Sequence, residues 1–258
     1  MICFGASFSA HLRPNALFVM ALALPLALSG CNGEEAIESG TSGEPIAAIA
    51  APEGTSWTQT FTLSDDGMGF IIGNPEAPLK LVEYASHTCG ACANFSVTGK
   101  QSLKDNYIAS GVVSFEQREV FLNANDVVIA ALTQCGPGER MQALSDEVWS
   151  NLPAVFQGIQ SNPQAMQAAG ALDVSERFVR MGEVTGLIDF FAARGLSSDQ
   201  ARTCLADGDA IDAMVKTSSA KAEEVGVTGT PTFTLNGSKV DAISWGQLEP
   251  ILQRAGAR

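Results

Sequence analysis

Cys89-Gly90-Ala91-Cys92 stands between an apolar run, Leu79 to Tyr84, and a segment of helical character from Ala91 to Ile108. A chain that puts two thiols at this junction needs a strand that ends where a helix begins. Free N–H groups and the helix dipole at that point stabilise an anion. The first sulfur then becomes a thiolate near neutral pH, able to act as nucleophile or leaving group. The second lies one helical turn on, close enough to close a disulfide and release a mixed-disulfide partner. The same spacing also suits zinc, which wants four ligands, usually as two pairs. Cys89, Cys92 and His87 supply three, and there is no second Cys-x-x-Cys, so no metal is expected.

The beginning of the chain reads as an export signal (residues 1–30). Arg13 closes a short n-region, and Ala16 to Leu28 is a 13-residue apolar run. That is short for a membrane-spanning helix and suits a secretory h-region. It ends in Leu28-Ser29-Gly30-Cys31, which looks like a bacterial lipobox with Cys31 as the lipidated residue. Ordinary cleavage at small residues, leaving Cys31 a free thiol, is the competing reading. Residues 31–56, rich in Gly, Ser, Glu, Ala and Pro, read as a flexible tether. Cleavage before Cys31 removes Arg13 and no acid, leaving 14 basic against 28 acidic residues, net −14. Such a surface repels nucleic acid and anionic headgroups.

Export also gives the cysteines a meaning. Of the six, Cys3 leaves with the signal, Cys31 carries lipid, and Cys89 and Cys92 form the motif. Cys135 and Cys204 remain, and an exported chain would normally pair them. The loop they would close, about 70 residues, is worth roughly 4 kcal/mol by chain entropy. Two buried free thiols are the alternative.

Further along, Trp57 to Leu63 alternates as a half-buried strand, and Gly69 to Ile72 adds a short piece. Leu79 to Ala85 and Val112 to Val120 are strands joined by the Ala91–Ile108 helix, with a break at Gly99. A crossover of this kind pairs strands in parallel. Asn125 to Val225 is helical almost throughout, with Ser175, Thr185 and Ser197 as N-cap candidates. Thr232 to Leu235, the Asn236-Gly237 turn and Ser238 to Val240 make a hairpin, followed by a helix from Ser244 to Ala255. The expected fold is α/β, with residues 57–123 and 207–258 forming a small sandwich and 124–206 an inserted helical subdomain.

Asn74-Pro75-Glu76-Ala77-Pro78, Leu81-Val82-Glu83-Tyr84, Thr88-Cys89-Gly90-Ala91-Cys92 and Gly226-Val227-Thr228-Gly229-Thr230-Pro231-Thr232-Phe233 together resemble the DsbA-like thioredoxin-fold oxidoreductases. The subgroup with an extra cysteine pair in the helical insertion is nearest in pattern. The resemblance implies a thioredoxin-like fold and thiol:disulfide exchange without an organic cofactor. Cys89 would be the exposed nucleophile and Cys92 the buried resolving thiol. Thr230-Pro231 would form a cis-proline loop that, with Gly90 and Ala91, meets the partner chain. Glu83, six residues before Cys89, matches a buried acid that ferries the Cys92 proton, against the plainer reading of a solvent-facing strand residue. Lys80 and Glu83, three apart, cannot share one face of a regular strand.

One departure matters. Members often carry Pro-His between the cysteines, and Gly90-Ala91 offers neither a cation nor a side-chain donor, so a weaker oxidant is expected. His87 could partly replace the missing group, although a surface-loop position is the plainer expectation. Implied partners are reduced or misoxidised envelope proteins and a membrane quinone-linked reoxidase or another redox partner. A monomer in the bacterial periplasm, held to a membrane by lipid alone, is expected. Disulfide isomerase or reductase activity, or a non-catalytic binding lipoprotein, are the alternatives.

Overall fold

A computed structural model describes residues 43–258. The signal peptide, the lipobox and Cys31 lie outside the described residues. Six strands form one sheet in the order β1-β2-β4-β3-β5-β6. They are β1 (Phe61–Leu63), β2 (Gly69–Ile72), β3 (Leu79–Ala85), β4 (Val113–Glu119), β5 (Thr232–Leu235) and β6 (Ser238–Val240). Only β3 and β4 pair in parallel, Leu79 opposite Val113 through Ala85 opposite Glu119. The link between them is α1 (Gly90–Thr98), the short α2 (Lys100–Ser102) and a wide-wound turn over Leu103–Ile108.

Along β3 the alternation decides which residues face the helices. Leu79, Leu81 and Glu83 turn inward, while Lys80 is exposed. Phe95, Leu103 and Ile108 pack there against Leu81, Phe115 and Phe233, joined by Leu248 and Leu252 of α11 (Trp245–Arg254). Gly99 closes α1 because α11 runs so near: a Cβ on it would lie 2.6 Å from Trp245 Cβ. At the hairpin, Asn236 and Gly237 both take positive φ, 50° and 83°, as a two-residue turn requires.

Between β4 and β5 come α3 (Ala124–Thr133), α4 (Met141–Ser150), α5 (Leu152–Gln160), α6 (Pro163–Gly170), α7 (Val174–Val184), α8 (Leu187–Ala192), α9 (Ser198–Ala206) and α10 (Gly208–Val225). They enclose a second core around Val128, Leu132, Leu144, Phe178, Phe191 and Leu205.

Several expectations need correction. The stretch from Gly43 is no tether: Gly43 N–H donates to Arg254 O, Ile46 N–H to Gly256 O and Ile49 N–H to Ser110 O, and Ile46 packs on the sheet core. Ile46 and backbone donors there find partners on the folded body, which composition alone does not reveal. Trp57–Gln59 is a single tight helical turn, not strand, because the Trp57 indole N–H reaches Ile49 O at 2.7 Å and turns the chain. Of the three N-cap candidates only Ser197 caps, in a reciprocal box with Gln200. Thr185 instead ends α7, its hydroxyl donating to Met181 O, and α7 itself starts after Asp173.

Candidate functional site

The strand-to-helix junction places Cys89 as the N-cap of α1. Its backbone is extended, and its sulfur accepts the N–H of Cys92 at 3.2 Å. Across from it the Thr230–Pro231 peptide is cis, and the Thr230 carbonyl lies 3.2 Å from Cys89 Sγ. Both thiols are free and both are buried, so Cys89 is not the exposed thiol expected: the Thr230–Pro231 loop and the Trp149 cluster cover it. Cys89 is brought down to about 6, first by the Cys92 thiol donating to it, then by Thr230 and the N–H groups of Cys92 and Ala91, against partial burial. Burial pushes the Cys92 thiol far up, and its own donation to Cys89 and the nearby Glu83 charge add to this. The two sulfurs are thereby divided into a ready thiolate and a firmly protonated partner. Gly90 lies exposed beside them, with open space where its Cβ would stand, and Ala91 is half-buried against the same cluster.

Glu83 sits behind the pair, fully buried on β3 between Gln117 and Phe233 in the sheet register. Neither carboxyl oxygen has a hydrogen-bond partner. Burial raises its pKa to about 8, Lys100 opposing and Asp146, Cys89 and Glu119 adding to the rise. It therefore faces inward rather than to solvent, and can hold or release a proton near neutral pH.

His87 is not on the surface. It is fully buried, stacked on Trp149 with ring centroids 5.1 Å apart. Its Nε2 lies 3.0 Å from Ser145 Oγ, and its Nδ1 is 3.0 Å from Glu119 Oε2, off the hydrogen-bond line. The ring points into the inserted helices because α4 covers this loop, so it supplies no replacement for the absent motif histidine.

Helices far along the chain complete the site. Asp126, buried at the third position of α3, accepts from Ser86 Oγ (2.8 Å), Thr88 N–H (2.9 Å) and Leu122 N–H (2.8 Å). It thereby pins the loop that delivers Cys89. The Trp149 indole N–H donates to Ser86 O, and its ring packs with Cys89, Cys92 and Leu152. Lys100, buried, donates to Gln117 Oε1 and to Asp146 Oδ1. In the sequence, Asn123-x-x-Asp126 is a helix-start pattern, and Lys100 falls in phase with Leu103 and Tyr107, an apolar stripe. Ser145, Asp146 and Trp149 send no such signal, since only tertiary packing brings α4 here.

Cys135 and Cys204 lie in the helical block and are joined, Sγ–Sγ 2.00 Å and Cα–Cα 5.9 Å. They sit apart from the Cys89 site, with the second core rather than the sheet around them. Among the described residues no group of His, Cys, Asp and Glu is arranged to hold a metal ion.

A family model described as Thioredoxin matches residues 65–254. The chain belongs to the thioredoxin family. It is a thiol:disulfide oxidoreductase with a DsbA-like fold. Among curated relatives it is 21% identical over 204 residues to a "Putative protein-disulfide oxidoreductase" of Rickettsia bellii (strain RML369-C), covering 79% of this chain and 70% of that one. It is 23% identical over 201 residues to the similarly named Rickettsia typhi protein RT0103, covering 78% and 67%. In fold it is similar to a protein-disulfide isomerase from Novosphingobium aromaticivorans (24% identity, TM-score 0.68, 72% of this chain and 95% of that one). Wolbachia pipientis alpha-DsbA1 is also similar (20%, TM-score 0.57, 72% and 90%). The matched span runs from just after β1 through the inserted helices to the end of α11.

Proposed function

We propose that this oxidoreductase is exported and donates its Cys89–Cys92 disulfide to proteins of the bacterial envelope. A partner thiolate attacks Cys89 Sγ, the S–S bond breaks, and Cys92 leaves as a thiolate that takes a proton from Glu83. A second partner thiolate attacks the partner sulfur of the mixed disulfide and expels Cys89 as its thiolate. The partner is oxidised by two electrons, and the Cys89–Cys92 pair is reduced by the same two. Pro231 and Thr230, with Gly90 and Ala91, present the edge on which an extended partner chain would lie.

The observation that carries this reading is the Cys89 thiol held at about 6 at a helix N-terminus, against Thr230-Pro231. A stabilised thiolate favours the reduced form and makes the disulfide an oxidant. Thioredoxin's thiol is near 7 and that of DsbA about 3.5, so an intermediate oxidant is expected. Lipidation at Cys31 would keep the enzyme at a membrane and leave reoxidation to a quinone-linked partner there. Among the described residues no helix is long and apolar enough to cross a membrane.

Equilibration with glutathione tests the direction of electron flow. A potential between roughly −230 and −130 mV is expected, and a value at thioredoxin's about −270 mV would overturn the oxidase reading in favour of a reductase. Mass spectrometry of the membrane-extracted protein tests the anchor: a diacylated Cys31 at the N-terminus supports it, and a soluble chain lacking lipid removes it.

A further inference from the structure

We propose that Asp146, on the inserted helix α4, is a positioning residue that acts through Lys100 to set the charge state of Glu83, and thereby the proton chemistry of Cys92. This rests on the exchange reaction assigned above to Cys89 and Cys92.

Lys100 is a buried cation held by two acceptors from different parts of the fold. Only 3% of the residue is exposed, and its Nζ donates to Gln117 Oε1 of β4 at 2.9 Å and to Asp146 Oδ1 at 2.8 Å. The Trp149 ring lies 4.3 Å from Nζ and the Phe115 ring 5.5 Å, so the ammonium has apolar walls on its other sides. Asp146 is itself fixed by Ser96 Oγ at 3.0 Å, and its side chain is 36% exposed. Glu83 has no hydrogen-bond partner of its own and lies wholly out of water. Charged and titratable groups act on it from four packed elements, Lys100 from α2, Asp146 from α4, Glu119 from β4 and the two thiols at the start of α1, while β5 presents Phe233. Lys100 is the cation in that set. A buried carboxylate with no donor depends on the nearest positive charge. Asp146 draws on the same ammonium through its 2.8 Å hydrogen bond, so the two carboxylates compete for it.

That competition gives the two partners effects of opposite sign. Without the ammonium, an ionised Glu83 loses its support and holds its proton to higher pH. Without the Asp146 charge, Lys100 acts more fully on Glu83, which gives up its proton at lower pH. A purely structural Lys100–Asp146 bridge would alter stability in both variants and leave the Glu83 midpoint where it is.

The test uses the full mature chain with Cys135–Cys204 intact. Its Cys89–Cys92 couple is equilibrated with glutathione across the pH range, and the change of slope of potential with pH marks Glu83. E83Q removes that change of slope and so assigns it. K100M is expected to move it upward by about one pH unit, and D146N downward by about half of one. D146E should restore the wild-type position, and the separate slope change of Cys89 should stay in place. Should K100M not fold, the D146N and D146E pair still decides the sign. Midpoints that stay put in D146N, or that move the same way in D146N and K100M, overturn the inference while exchange itself persists. A wild-type chain that does not exchange with glutathione at all overturns instead the function on which the inference rests.

Discussion

The molecule holds two cysteine pairs in contrasting surroundings, Cys89 with Cys92 and Cys135 with Cys204. Burial does not separate them. Cys89 is 9% exposed and Cys135 7%. What differs is the character of the groups around each sulfur. Cys89 Sγ faces donors, the N–H of Cys92 and the Cys92 thiol among them. Cys135 Sγ faces the Gln200 carbonyl oxygen at 3.5 Å and the apolar side chains of the second core. A carbonyl oxygen faces both sulfurs, Thr230 O at 3.2 Å from Cys89 and Gln200 O from Cys135, so what sets Cys89 apart is that an anion forming there also meets N–H and S–H donors, where one at Cys135 meets hydrocarbon. The first pair is therefore built to exchange and the second to stay closed.

Replacing Cys89 with Ser is expected to have the largest effect on activity, lowering exchange by orders of magnitude to that of an ordinary hydroxyl-bearing surface. Insulin reduction or oxidation of a model dithiol peptide reads it. Replacing Cys92 with Ala should leave attack by Cys89 intact and trap mixed disulfides, visible as higher-mass species that a reductant collapses. If the Cys89 variant keeps its rate, the Cys135–Cys204 pair is doing the exchange and the comparison inverts. The double variant Cys135→Ala, Cys204→Ala is expected to lose up to about 4 kcal/mol of stability in chemical denaturation. Alkylation of Cys89 should keep its dependence on pH, since the disulfide lies in the second core and supplies none of the groups that act on the Cys89 thiol.

Much of the first pair was legible in the chain, and almost none of the frame around it. Cys89-x-x-Cys92 after Leu79–Tyr84 places a thiol at a helix start by local rules alone, and Asn236-Gly237 sets its hairpin in the same way. Glu83 could be placed inward by counting along β3 with Lys80 outward, because strand alternation is also local. His87 could not. Its surroundings come from Glu119 on β4 and from Ser145 and Trp149 on α4, and nothing within a few residues reports that a helix covers the loop. The same holds for Gly43 to Ile49, whose Gly, Glu, Pro and Ala resemble a tether while its partners, Arg254, Gly256 and Ser110, lie elsewhere in the chain. Local chemistry reads from sequence, and tertiary neighbours do not.

Glu83 adds a cost that the second pair does not have. Its pKa is raised to about 8 in the folded chain from an ordinary 4.5. Below the unfolded value both states are protonated and nothing is lost. Between the two values the unfolded chain releases a proton that the folded chain keeps, so stability falls as pH rises. The full loss, a few kcal/mol, is present above the folded value. Glu83→Gln should therefore be more stable than the wild type at pH above about 8 and similar to it near pH 4. Denaturant midpoints at the two pH values check this. A variant that is equally destabilised at both would show that Glu83 contributes packing rather than a buried titratable group.

Ala91→His is the smallest change and tests the donor argument most directly. The side chain at this position is half-buried beside Cys89, at the margin of the small cluster around Cys92 and Trp149, which places an added imidazole next to the thiolate. A protonated or donating imidazole would add one stabilising partner to a thiolate that now relies on Cys92, Thr230 and backbone N–H groups. Each tenfold gain in thiolate stability lowers the Cys89 midpoint by about one pH unit. It also raises the potential of the two-electron couple by about 30 mV. Absorbance of the thiolate against pH, together with glutathione equilibration, should show both moving in that ratio. The potential cannot follow the midpoint if the disulfide form were stabilised equally, so a lowered midpoint with an unchanged potential would mean that Gly90-Ala91 does not set oxidising strength. The distinction between the two cysteine pairs would then rest on access to Cys89 rather than on the charge it can carry.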